Sequence, residues 1–204
     1  MSKIVVINNL TFDGVMQAPG RADEDTRDGF THGGWAVMPN DDPDIGRAMG
    51  ERMAHGGPLL FGRRTYEDFH SFWPNQQGNP FTDVLDNTPK YVASTTLEEP
   101  LPWKNSTLLK EDAAHAVAKL KEQPGKDLTI LGSGVLVQTL MQRNLVDEYV
   151  LLIHPVVLGT GRRLFPDGGA FASLRLADSA TTRHGVIIAT YQPADTTTEN
   201  KATK

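Results

Sequence analysis

Three short stretches of the chain combine residue types that can hold an anion. Gly132-Ser133-Gly134 stands between the apolar residues Leu128, Ile130 and Leu131 and a run in which Leu136, Val137, Leu140 and Met141 recur at helical spacing. Backbone without Cβ atoms at such a junction can lie flat against a ligand, and the N–H groups that open the following helix favour a phosphate. Gly62-Arg63-Arg64-Thr65 follows the apolar run Pro58–Phe61 in the same way and adds two guanidinium groups suited to phosphate oxygens. Ser94-Thr95-Thr96 ends the run Lys90–Ser94 with hydroxyls at a strand's carboxyl end, where open α/β sheets bind ligands. Each stretch has a plain structural alternative: a tight connection, a surface ion pair, a turn cap. Along one groove they supply backbone N–H groups for a pyrophosphate and arginine plus hydroxyls for a further phosphate. That inventory fits a phosphorylated dinucleotide.

The residues able to move a proton are fewer. Asp13, beside Gly14, is the first carboxylate to test, its alternative role being to cap that turn. His32, next to Gly33-Gly34-Trp35, is a weaker candidate. Asp147 and Glu148 are adjacent on a strand, point to opposite faces and cannot both reach one site. There is no cysteine, and no cluster of ligands suggests a metal. Neither glycine turn is followed by a Walker lysine, and no nucleophile stands near the arginines, so phosphate-ester hydrolysis is disfavoured.

The elements that must position these groups alternate. Ile4-Val5-Val6-Ile7 is a β-branched run of the kind found in the middle of a sheet covered on both faces. Leu10 to Asp44 has five glycines, three prolines and little periodicity, yet carries Phe12, Val15, Met16, Phe30, Trp35 and Val37; it predicts a long loop able to close over a ligand. Helices are predicted over Asp44–His55, from Thr65 as N-cap to the stop at Pro74, over Glu111–Glu122, and after Gly134. Glu67 and Asp68 fall in the expected first turn of the second helix, and Asn75–Thr88 reads as polar and turn-rich. Strands are predicted at Pro58–Phe61, Lys90–Ser94, Leu108–Leu109, from Leu128, before His154, and as a hairpin of Leu174–Thr182 with Gly185–Tyr191. The alternation predicts an α/β three-layer sandwich with a central mixed, mostly parallel sheet and a C-terminal antiparallel hairpin. One domain over residues 1–193 and a disordered polar tail over 194–204 complete the division.

Composition narrows the partners. A formal net charge of −5 argues against nucleic acid and anionic membranes, which need a basic surface. MSKIVVINNL lacks the form of a signal peptide and no window is long and apolar enough to span a bilayer, so a cytoplasmic protein is expected.

The ordered motifs L-T-F-D-G (10–14), F-G-R-R-T-Y-E (61–67), V-A-S-T-T (92–96), I-L-G-S-G-V-L (130–136), L-V-D-E-Y (145–149) and P-V-V-L-G-T-G-R-R-L-F-P (155–166) resemble the dihydrofolate reductase-like superfamily. The nearer resemblance is to the branch containing the reductase domain of the riboflavin-biosynthesis bifunctional deaminase-reductase. It covers roughly residues 3 to 192. The resemblance implies NADPH as cofactor. Gly62, Arg63, Arg64 and Thr65 would hold its phosphates, with Ser94, Thr95 and Thr96 on the adenosine side. Gly132, Ser133, Gly134, Val135 and Leu136 would meet the pyrophosphate and nicotinamide side. It places Asp13 beside the nicotinamide and Met16, Gln17 and Trp35 over the substrate, implies a homodimer, and points to reduction of a small planar heterocycle, pyrimidine- or pterin-like, as in 5-amino-6-(5-phosphoribosylamino)uracil reductase. True dihydrofolate reductases carry a substrate-protonating carboxylate on the first helix; the helix here offers only Asp44 and Glu51, with no motif to align them. The alternative is a non-catalytic nucleotide-binding or interaction module on the same fold.

Overall fold

In chain order the elements are β1 (Ile4–Thr11), α1 (Pro43–His55), β2 (Leu59–Gly62), α2 (Arg63–Phe72), α3 (Pro80–Asn87), β3 (Lys90–Ala93), β4 (Ser106–Leu109), α4 (Ala113–Glu122), β5 (Leu128–Leu131), α5 (Gly134–Met141), β6 (Glu148–His154), β7 (Leu174–Thr181) and β8 (Ile187–Pro193). They come from a computed structural model that describes residues 1–38 and 41–194, so the expected tail lies, apart from Ala194, outside the described residues.

The eight strands form one sheet in the order β4-β3-β2-β5-β1-β6-β8-β7. The first six are mutually parallel, and β8 runs antiparallel to both β6 and β7. The sheet is therefore mixed and mostly parallel, with the hairpin at one edge. β1 lies at its centre because its β-branched run buries both faces: Ile4 and Val6 pack with α4 and α5, while Val5 and Ile7 pack with α1. Leu59 and Phe61 of β2 face Tyr66, Phe69 and Leu85 of α2 and α3, whereas Leu60 joins the α4/α5 side. Three layers result. Parallel strands carry their carboxyl ends to one rim, so Thr11, Gly62, Ala93 and Leu131 all end there.

Two local expectations are corrected. The polar stretch Asn75–Thr88 contains α3, opened by Asn79, whose side chain accepts from the Phe81 N–H at 3.0 Å. Phe81 stacks edge-on to Trp73, with centroids 4.8 Å apart, and Leu85 is fully buried. Eight residues are too few for periodicity to show; packing makes the helix. The N-cap of α2 is Gly62, with no capping side chain, so Thr65 lies inside the helix and Glu67 and Asp68 fall beyond its first turn.

The long loop after β1 is ordered by a small core of its own: Val15, Ala18 and Phe30 are buried against Trp35 and Leu158. Backbone pairs tie it to the segment after β6, among them Phe12 N–H to the Val156 carbonyl at 2.8 Å and Met16 N–H to the Arg162 carbonyl at 2.8 Å. Among the described residues no helix is long and apolar enough to cross a membrane.

Candidate functional site

A cavity of about 1280 Å³ opens at the rim where the parallel strands end. Its floor is Asn8 and Asn9 of β1 and the turn after β5; one wall is the Ile45, Met49 and Met53 face of α1; others come from α2, the long loop and Arg162-Arg163. Protein ligand pockets run to roughly 300–1000 Å³, so this space admits a dinucleotide together with a small ring.

The turn is held by its neighbours. Gly132 and Ser133 both adopt left-handed backbone, with φ of 61° and 55°. A serine accepts that conformation only where its surroundings hold it. The Ser133 N–H donates to the Thr65 hydroxyl (3.1 Å), the Ser133 hydroxyl accepts from the Gly62 N–H (3.0 Å), and the Gly132 carbonyl accepts from Asn8 Nδ2 (3.2 Å). The turn is thus locked to β1, β2 and α2. No side chain caps α5, whose first N–H groups meet the cavity at Gly134 and Val135. Met16 packs against Gly134: a Cβ there would meet the Met16 Sδ, so the Met16 side chain would have to shift.

The structure separates the two arginines that the sequence pairs. Arg64 lines the cavity and forms no ion pair among the described residues. Arg63, one position earlier on the helix, stays out of the cavity wall and pairs with Glu67 at 2.9 Å. Thr65, Gly132, Ser133, Gly134 and Val135 line the cavity; Gly62 and Leu136 lie behind it, and Ser94, Thr95 and Thr96 sit on the same rim outside its wall. There the Ser94 hydroxyl accepts from the Thr96 and Leu97 N–H groups at 3.1 and 3.0 Å, the turn-capping role.

Asp13 takes a different part from the one its position suggested. Its carboxylate accepts from the Thr11 hydroxyl at 2.6 Å and from the N–H groups of Gly159 at 2.8 Å and Leu158 at 3.2 Å. The Thr11 bond, with the two backbone donors behind it, holds its pKa down at about 2 despite partial burial. A group so acidic carries no proton at neutral pH, and it does not line the cavity. Asp13 pins the loop after β1 to the loop after β6.

Met16 and Gln17 do reach the cavity. The buried Gln17 amide also works as a crosslink: Nε2 donates to the carbonyls of Asp25 and Arg27, and Oε1 accepts from the Arg162 N–H at 2.9 Å. Trp35 stays outside the wall, its indole N–H donating to the Gln17 carbonyl at 2.8 Å. His32 is exposed and meets Phe30 edge-on. Asp147 and Glu148 part as expected, the former to the Ile4 N–H and Lys121, the latter to Arg52 and Gln192. On α1, Asp44 engages Arg47 and Arg183 and Glu51 is exposed, so neither acid of that helix enters the cavity.

Two features had no signal in the chain. His154, buried at the end of β6, accepts from the Val37 N–H through Nδ1 (3.2 Å) and meets Asn9 Oδ1 through Nε2 (2.9 Å), which assigns its proton to Nε2. Burial lowers its pKa to about 4. Glu24 and Asp68 come together across the cavity mouth through Arg21, which pairs with Asp68 at 2.5 Å and lies 4.2 Å over the Phe72 ring. Burial raises the pKa of both acids. Residues 24 and 68 are on different elements, and only the folded loop joins them.

A central parallel sheet with this rim and an antiparallel edge hairpin defines a dihydrofolate reductase-like protein. Solved structures agree on the fold. A riboflavin biosynthesis protein from Shewanella sp. PV-4 superimposes with a TM-score of 0.68 at 20% identity, covering 95% of this chain and 99% of that one. The dihydrofolate reductase of Enterococcus faecalis, complexed with NADP(H) and RAB-propyl, gives 0.61 at 14% identity over 95% and 97% of the two chains. Within that class the chain belongs to the RibD C-terminal domain family, whose model matches residues 2–188. Among relatives, the uncharacterized protein YyaP of Bacillus subtilis is 32% identical over 176 residues, 81% of this chain and 89% of that protein. YwjB of the same organism is 36% identical over 70 residues, 34% of this chain and 40% of its own length.

Proposed function

We propose that the protein is an NADPH-dependent reductase of a small planar heterocycle. The observation that carries this is the uncapped N-terminus of α5 opening onto a cavity of about 1280 Å³ that Arg64, without an ion pair among the described residues, also lines. The residues present fit an anionic dinucleotide. N–H groups of Gly134 and Val135 receive the pyrophosphate, Arg64 adds a guanidinium, and the rim toward Arg63 and Ser94-Thr95-Thr96 takes the 2′-phosphate end. When bound, the cofactor supplies hydride; the protein positions the ring, excludes water and furnishes a proton. The apolar face of α1, with Met49 and Met53, suits a flat apolar ring. Met16, against Gly134, and the loop beyond it close the space from above.

The reading extends to a homodimer, supported by the free outer edge of β7 among the described residues and by exposed Phe171 and Leu176; sedimentation as a monomer at micromolar concentration would count against it. The reductase reading is tested by titrating NADPH into the protein and following energy transfer from its tryptophans together with the melting temperature. Saturable transfer with a concentration-dependent rise in Tm is the expected result. Neither response, or equal responses to NADPH and to adenosine alone, would refute it. Cofactor binding without NADPH oxidation across pterins, pyrimidines and quinones would favour the non-catalytic module.

A further inference from the structure

Behind the rim the cavity continues as an arm between α1 and the layer of α2 and α3, floored by Ile7 of β1 and Leu131 of β5. Into it α1 brings Met49 and Met53, α2 brings Phe69, the turn that follows brings Trp73, and α3 brings Phe81. The rings meet edge-on, Phe69 to Trp73 at 6.2 Å and Trp73 to Phe81 at 4.8 Å, and all five side chains are half-buried, which leaves apolar surface turned to the arm. Gly46 and Gly50 stand one turn apart on the same wall, and a Cβ at Gly50 would meet nothing within 4 Å. Glycine weakens a helix interior relative to alanine; here its missing side chain widens the arm. Charge is distributed differently. Among the described residues that line the cavity, arginine is the only cationic type, and its four members stay at the rim. Arg27 is paired with Asp25, Arg162 with Asp28 at 2.6 Å, and Arg163 donates to the Asp13 carbonyl at 2.9 Å. Arg64 opens α2, about 13 Å along the helix from Trp73. The polar residue at the far end, Asn79, is neutral and its Oδ1 is used in capping α3.

Resting on the reductase reading, we propose that the arm takes an uncharged apolar substituent of the substrate, of the bulk of a benzyl group, and that the reducible ring carries such a group in place of the phosphoribosyl group to which the family resemblance points. Leu131 directly precedes the Gly132 turn, so the arm is continuous with the rim and one molecule can hold its ring there and its substituent between the helices. A phosphate led into the arm would exchange water for thioethers and aromatic edges, with no cation to pair it, and an ion stripped of water without a partner is strongly disfavoured. A phenyl group led there sheds water against surfaces of its own polarity. The Phe69, Trp73 and Phe81 rings can meet it edge to face, and the methionine sulfurs can lie at its edge. Two flexible thioethers opposite three rings also let the arm adjust to the outline of the group it holds.

The test uses the full chain and three compounds that share one ring: 6-aminouracil, 6-(benzylamino)uracil and 6-(5-phosphoribosylamino)uracil. Their affinities are measured by calorimetry, and the benzyl compound is located by the 13C-methyl NMR signals of Met49 and Met53. In wild type the benzyl compound should bind about tenfold or more tightly than 6-aminouracil and shift both methyl signals, while the phosphoribosyl compound binds no more tightly than 6-aminouracil. Gly50→Leu fills the open space in the arm and replaces a weak helix former with a strong one. It should remove most of the benzyl advantage with Tm maintained or raised and NADPH affinity retained. A phosphoribosyl compound that binds more tightly than 6-aminouracil, a benzyl compound that does not, unshifted methionine signals, or a benzyl advantage unchanged in Gly50→Leu overturns the proposal. If NADPH fails to bind while the benzyl advantage and its loss in Gly50→Leu persist, the reductase reading falls and the arm stands as an apolar ligand site. If NADPH binds and the benzyl advantage is missing, the arm reading falls alone.

Discussion

Acidification from pH 7 to pH 5 acts on His154, whose ring latches the end of the long loop at Val37 to Asn9 of β1. In the folded protein the ring titrates at about 4, against an ordinary 6.5, because burial opposes its charged form. Between those values the unfolded chain binds a proton that the folded one refuses, so stability falls as pH falls through that window. Burial of the ring is essentially complete, at 1% exposure, so solvent screening takes little from the effect. The full shift corresponds to about 3 kcal/mol, of which about 2 kcal/mol is lost by pH 5. Asp13, with a folded pKa of about 2, loses its stabilisation only as pH falls below 3.8 and contributes little to this interval. Glu24 and Asp68, whose pKa values are raised, act in the opposite direction, since their folded forms gain protons earlier. Comparison with His154→Gln cancels those contributions. Urea unfolding of both proteins at pH 7 and pH 5 should show wild type losing about 2 kcal/mol more than the variant across the interval. Equal losses would show that the buried ring does not resist protonation and would remove the latch as a source of acid sensitivity.

Arg63→Ala should weaken NADPH far more than NADH, because its guanidinium lies at the proposed 2′-phosphate end, whereas Arg64→Ala should weaken both; equal selectivity in isothermal titrations refutes the division. Thr65→Val removes the acceptor of the Ser133 N–H, and a loss of roughly 1–3 kcal/mol in unfolding free energy is expected, together with weaker cofactor binding; unchanged Tm would show that the turn is not held by this bond. Asp13→Asn should lower Tm while leaving NADPH affinity intact in the folded fraction; loss of turnover at unchanged stability would return Asp13 to proton transfer. Gly134→Ala places a methyl against Met16, so its destabilisation should be largely relieved in the double variant with Met16→Ala, and additive effects in that cycle would reject the contact.

The sequence by itself determined the sheet and the anion-binding rim. Unbroken apolar runs such as Ile4–Ile7 can only sit where both faces are covered, and glycines at Gly62 and Gly132–Gly134 follow strands whose carboxyl ends must then share a side. These are local patterns, a period of two changing to one of 3.6 at a residue without Cβ. Helix α3 escaped because eight residues cannot display a period, and its Leu85 becomes apolar core only against β2 and β3. The roles of individual acids were decided by tertiary structure alone. Asp13 is chemically equal to Glu24 in a sequence, but one receives two backbone N–H groups from a loop 145 residues away and is spent, while the other loses its cation to Asp68 on α2. A carboxyl's acidity is set by what desolvates it and what donates to it, and both are properties of neighbours that only the fold brings near.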